Sequence, residues 1–124
     1  MKQNYDLEER LIDFSVSVIE IVDKMPNSKA GNHLASQLVR SGTSVALNYG
    51  EAQAAESRRD FVHKMKVVLK ELRESFNNLR IIKKALLFQP IEALDKILDE
   101  NNQLISIFVK SIETAESKQG KNKY

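Results

Sequence analysis

From Phe61 to Leu86 a stripe of apolar residues, Phe61, Met65, Val68, Leu72, Phe76, Leu79, Ile82 and Leu86, steps unbroken by threes and fours. Kept up over about seven turns, that spacing gives an α-helix one buried face; a strand's faces alternate every second residue and cannot carry it. Three more stripes share the pattern. Leu7, Leu11, Phe14, Val18, Ile21 and Met25 form the first, Leu34, Leu38, Val45 and Ala52 the second, and Ile91, Leu94, Leu98, Ile105, Phe108 and Ile112 the last. No segment alternates as a strand would. Each stripe must be buried against another, so the chain is expected to be all-α, an up-down-up-down antiparallel four-helix bundle.

The punctuation between stripes sets the boundaries. Asp6-Leu7-Glu8-Glu9 has capping-box spacing and predicts the first start. Met25, standing before Pro26, is pushed out of the α region. Ser57 to Asp60 reads as the cap of the third helix, and Pro90 suits the first turn of the fourth. The expected helices are approximately 6–25, 28–56, 58–88 and 90–118, in one domain over 1–118. Residues 119–124 form a basic tail expected to fray, as the stretch from Ser117 onward has no apolar periodicity. Gly31, Gly42 and Gly50 weaken the second helix by about 1 kcal/mol each against Ala, unless they admit a neighbouring helix.

Composition narrows the function classes. Without cysteine there is no disulfide framework, thiolate nucleophile or thiolate metal site. The longest uncharged run, Ser41 to Gly50, is far short of the ~20 apolar residues of a membrane span. Asp6, Glu8 and Glu9 occupy the place of a signal peptide's basic segment, so a cytoplasmic protein without a membrane partner is expected. The two histidines and the lone Asp60-x-x-His63 do not supply the paired Glu-x-x-His motifs of a di-iron bundle. His63 reads as part of a basic surface beside Arg59, Lys64 and Lys66. With no phosphate loop or nucleophile elbow either, no catalytic residue, metal or cofactor is assigned, and an enzyme is not expected.

Charge is concentrated in one segment. The chain carries a net +2, yet residues 58–84 hold nine basic and three acidic side chains. Arg58 opens that segment, and Arg59, Lys66, Lys70, Arg73, Arg80 and Lys84 spread over the face away from the core stripe. Such a face can track phosphates, releasing counterions. The competing reading is a solvated surface, favoured by the interruptions at Asp60, Glu71 and Glu74 and by the absence of an aromatic residue to stack a base.

Two further features stand out. Ile12, Val16 and Ile19 form a second stripe opposite the first helix's core seam, which reads as an oligomer interface rather than scattered surface apolar residues. On the second helix Gln37, Arg40, Ser44, Asn48 and Glu51 flank the apolar face, and Lys64, Glu71 and Asn78 flank that of the third. These residues are expected to form a polar network, Arg40 or Lys64 pairing with Glu71 or Glu51, whose first role is to fix helix register.

The segment QLVRSGTSVALNYGEA, Gln37 to Ala52, resembles the signature of the bacterial four-helix-bundle family named for the 23S rRNA intervening-sequence protein. The family places an Arg, a Ser, an Asn and a Glu at the spacing of Arg40, Ser44, Asn48 and Glu51. The segments SRRDF, Ser57 to Phe61, and LKELRE, Leu69 to Glu74, are similar to its third helix. Where the family usually has Glu-Gly this chain has Glu51-Ala52. The resemblance implies an antiparallel bundle, assembly in some members as rings of five, and no enzymatic activity. A related bundle, the accessory variability determinant of diversity-generating retroelements, is a basic pentamer that works with a reverse transcriptase and nucleic acid. The expectation is therefore a non-enzymatic homo-oligomer, with a pentamer favoured by the resemblance. It would bind RNA, DNA or a nucleoprotein partner such as a reverse transcriptase through the basic face, without sequence specificity. The alternative is a protein-binding scaffold without nucleic-acid contact.

Overall fold

The computed structural model describes the backbone from Lys2 to Asn122 and the side chains from Leu7 to Lys118. Four helices run α1 (Lys2–Asp23), α2 (Lys29–Gln53), α3 (Arg58–Lys84) and α4 (Ile91–Asn122), an antiparallel up-down-up-down bundle. Each helix packs on its sequence neighbour, and α1 touches α4 least. That leaves a groove of about 730 Å³ between those two.

The helix ends follow from local chemistry. Lys24 and Met25 donate to the carbonyls of Ile21 and Val22 in a tightened last turn, so α1 closes ahead of Met25-Pro26. Ser28 and Ser57 take extended backbone conformations, and their hydroxyls accept from the N–H groups of Gly31 and Asp60, each at 3.0 Å. Four ends differ from expectation by three residues or more. Helix α2 stops at Gln53 rather than Glu56, because the chain must leave α geometry before Ser57 can cap α3. Helix α3 stops at Lys84 rather than Phe88: Leu86 adopts φ 58, while Leu86 and Leu87 donate to Lys83 and Ile82 in a Schellman turn. Helix α1 begins at Lys2, so Asp6 lies in its second turn; the Asp6 side chain is outside the described residues. No Pro or Gly in 2–5 stops the helix earlier. The backbone of α4 continues to Asn122, since Gly120 alone does not halt a helix. Residues 123–124 are outside the description.

The interior is built from Leu11, Phe14 and Val18, Leu38 and Val45, Val68, Leu72 and Leu79, and Leu94, Leu104 and Phe108, all essentially inaccessible. Two core assignments are corrected. Leu86 is 69% exposed, because the chain has already left the helix there. In α4 the buried seam is Leu94, Ile97, Asn101, Leu104, Phe108 and Ile112, one position round from Leu98 and Ile105, which only pack against it. Asn101 is fully buried; with its amide turned so that the nitrogen faces the Leu72 carbonyl and the oxygen the Phe76 N–H, it donates to the first and accepts from the second, both at 3.1 Å. Phe88 closes the α3–α4 end of the core from the loop.

Candidate nucleic-acid interface

Turning α3 so that Met65, Val68, Leu72 and Leu79 face the core brings Arg59, Lys66, Lys70, Arg73, Arg80 and Lys84 to one side, within about 80° of arc. All six are exposed, as is Arg58 at the helix start. The carboxylates that seem to interrupt the run fall on the other flank. Glu71 and Glu74 turn toward α2, where Arg40 binds both. The basic stripe borders α4, where Lys66 pairs with Glu116 at 2.7 Å. Segregated this way, the cations keep a face of their own.

One expectation about that face is corrected. Phe76 lies half-buried beneath Arg80, whose guanidinium carbon stands 6.0 Å from the ring centroid. Lys83, Lys84, Leu86, Ile91 and Leu98 complete a cavity of about 500 Å³ around the pair. An aromatic ring therefore lies within reach of the stripe.

The flank residues of α2 divide into two kinds. Arg40 and Glu51 reach α3, Arg40 to Glu71 (3.3 Å) and Glu74, and Glu51 to Lys64 (2.9 Å). The Glu74 hydrogen bond and charge, then Glu71, push the Arg40 pKa further up; the Glu51 hydrogen bond does the same for Lys64. Both cations stay protonated throughout the ordinary pH range. Ser44 and Asn48 instead bond within α2, to the carbonyls of Ser41 and Ser44. Gln37 joins none of these bonds, and Asn78 donates to its own helix at Glu74. The flank is thus two exposed interhelical clamps, not one buried network: Arg40 is 52% exposed, where pairs contribute little.

The buried polar contacts lie elsewhere. Ser75 donates to Ser41 across the α2–α3 contact at 2.8 Å, and Ser15 bonds the Leu11 and Gly42 carbonyls at 2.9 and 3.0 Å. Arg10 joins α1 to α4 by a two-pronged contact with Glu100 at 2.8 and 2.9 Å. Seam spacing marks Ser41 and Ser75, since each stands three residues after one buried leucine and four before another buried aliphatic residue. Among the described residues no buried side-chain polar atom lacks a partner. No cluster of His, Asp and Glu among them could hold a metal, and no helix is long and apolar enough to cross a membrane.

On α1, Ile12, Val16 and Ile19 are 41–48% exposed, and on α2 Leu47 is 71% exposed. Ile81 of α3 is 51% exposed as well, but among the described residues no second helix carries three such residues at helical spacing.

Fold and site together define an all-α bundle whose third helix presents cations on one flank and spends its carboxylates on the other. The profile of the 23S rRNA-intervening sequence proteins matches residues 3–110, and the chain belongs to that family. Its fold is similar to the crystal structure of a protein of unknown function from the S23 ribosomal protein family of Bacteroides thetaiotaomicron, with a TM-score of 0.79. The two are 24% identical over 86% of this chain and 97% of that one. No curated protein matches at a significant level.

Proposed function

We propose that this protein is a non-enzymatic homo-oligomer that binds nucleic acid, without base specificity, through the outer flank of α3. The observation that carries the reading is the separation of charge on α3, with Glu71 and Glu74 withdrawn onto Arg40 and six cations left on one exposed flank. Each phosphate neutralised there releases counterions, and an oligomer multiplies the contacts. Self-assembly is supported by the uncovered stripe of Ile12, Val16 and Ile19; the count of five comes from the family resemblance.

Replacing Lys70, Arg73 and Lys84 with Glu tests the reading. The unmodified protein should be retained on duplex DNA and structured RNA at ~50 mM salt, losing affinity by orders of magnitude by ~200 mM, and the variant should not bind. Little sequence preference is expected, because Asn77 is the lone exposed amide among the cations of this flank and the cations themselves address phosphate. If the oligomer binds neither nucleic acid at low salt, the protein-scaffold reading replaces this one. Light scattering gives the second check: a mass several times 14.1 kDa, lowered by Val16→Lys with Ile19→Lys while the helix signal persists.

A further inference from the structure

At the end of the bundle where α2 finishes and α3 begins, a cavity of about 460 Å³ opens between all four helices. Its floor is apolar, made by Leu7 of α1 and by Phe61 and Met65 of α3. Its rim carries three cations, Arg58 of α3 with Lys110 and Lys118 of α4. Among the described residues none of the three is engaged in an ion pair and no carboxylate lines the cavity, the charge of Glu8 reaching Tyr49 from outside the lining. Between rim and floor sits a neutral polar step: the Tyr49 hydroxyl, held by the Gln53 amide at 2.6 Å.

We propose that this cavity binds a small organic anion, an apolar or aromatic body with one phosphate or carboxylate head. The volume lies within the range of small-molecule sites, which combine a mostly apolar lining with a few placed polar groups. The head would lie among Arg58, Lys110 and Lys118, where a guanidinium can bind an oxyanion in two-pronged fashion and the ammonium groups add point charge. The body would cover Phe61 and Met65. Bare phosphate satisfies only the rim and a neutral aromatic only the floor, so neither alone uses the site. The larger groove between α1 and α4 makes the contrast, because on its walls Asp13, Glu20, Asp99 and Glu100 outnumber Lys24 and Lys96 and disfavour such a ligand. The inference shares only Arg58 with the nucleic-acid reading, since Lys110 and Lys118 lie on α4.

Amide chemical-shift titration of the full chain tests it with four probes: phenyl phosphate, benzoate, inorganic phosphate and benzyl alcohol. Phenyl phosphate or benzoate should bind saturably, moving the amides of Tyr49, Gln53, Ser111 and Thr114; whichever binds more tightly identifies the head. Inorganic phosphate and benzyl alcohol should each bind at least about tenfold more weakly. Lys110→Glu with Lys118→Glu should weaken binding by at least about tenfold while leaving the helix signal and nucleic-acid retention unchanged. Should that variant fold poorly, Lys110→Gln with Lys118→Gln carries the same expectation of weaker binding. The proposal is overturned if inorganic phosphate binds as well as phenyl phosphate. It is equally overturned by shifts centred on Lys66, Lys70 and Arg73, by no saturation in the millimolar range, or by charge changes without effect.

Discussion

Val18 of α1 sits directly on Gly42 of α2: a Cβ built on Gly42 would stand 2.7 and 2.8 Å from the two Val18 methyl carbons. Both residues are buried, and a β-branched side chain has little rotamer freedom with which to yield. Helix propensity favours Ala over Gly by about 1 kcal/mol, whereas overpacking a tight core costs about 1–3 kcal/mol. Gly42→Ala should therefore lower stability, by up to about 2 kcal/mol net. Gly50 lies in the same helix with nothing within 4 Å of its built Cβ, so Gly50→Ala should raise stability by up to about 1 kcal/mol. Urea midpoints compare the two directly. Helix propensity favours Ala at both positions and cannot produce that sign difference, and a stabilised Gly42→Ala would remove the close-contact account.

Ser41 and Ser75 give a second measurable pair. Their hydroxyls meet at 2.8 Å with both side chains fully buried. Removing one partner leaves the other desolvated without that bond, at about 1–3 kcal/mol, whereas removing both deletes the unmet need along with the bond. Ser41→Ala with Ser75→Ala should thus cost clearly less than the sum of the single changes. Additive losses in a double-mutant cycle would mean that the hydroxyls do not depend on each other.

That pair also shows what the sequence conceals. The fold is legible because threes-and-fours spacing leaves only helices, and the stripes through Leu11 to Ile21 and Met65 to Ile82 are the ones buried. Seam positions filled by polar residues break the reading. Asn101 stands four after Ile97 and three before Leu104, and passing over it shifts the apparent stripe of α4 onto Leu98 and Ile105. A polar residue at seam spacing is a buried hydrogen-bonding group as readily as a gap in the seam. The basic flank of α3 is legible as composition, since its cations are countable in the chain. The holding of Glu71 and Glu74 away from them is not, because that depends on Arg40 of another helix. The end cavity is invisible for the same reason: its three cations come from two helices and lie up to sixty residues apart.

Leu86 offers a test of backbone strain. It occupies the left-handed position of the turn that ends α3, with φ 58, where glycine is the usual occupant. A side chain in that region costs about 1–2 kcal/mol. Leu86→Gly relieves this but gives the unfolded chain more freedom, a penalty of roughly 0.5–1 kcal/mol. Because the side chain is 69% exposed, little burial is lost. A small net gain in thermal stability is expected, and Leu86→Ala should show none of it. A Leu86→Gly protein less stable than Leu86→Ala would mean that the strain relieved is smaller than the freedom glycine gives the unfolded chain.

Tyr49 sets the alkaline limit. Its ring packs edge-on against Phe108 at 5.8 Å. Burial first, and then the negative charge of Glu8, hold its pKa above the ordinary 10.0. A raised folded-state pKa means that the native protein favours the neutral phenol. The stability this contributes is intact below the unfolded value near pH 10 and is lost as pH rises through the folded value. Tyr49→Phe cannot ionise, so its stability should fall less steeply above about pH 10. At pH 7 the variant should be less stable by about 0.5–1.5 kcal/mol, having lost the bond that Gln53 donates at 2.6 Å. Lys64, raised by Glu51, weakens the bundle over the same alkaline window, but it does so in both proteins and cancels in their difference. Urea unfolding at pH 7 and again above pH 10 therefore isolates the phenol, and the gap between the two proteins should narrow with pH. Parallel curves would mean that the Tyr49 hydroxyl ionises as readily in the folded protein as in the unfolded chain, and that the end cavity it borders is wetter than its apolar floor implies.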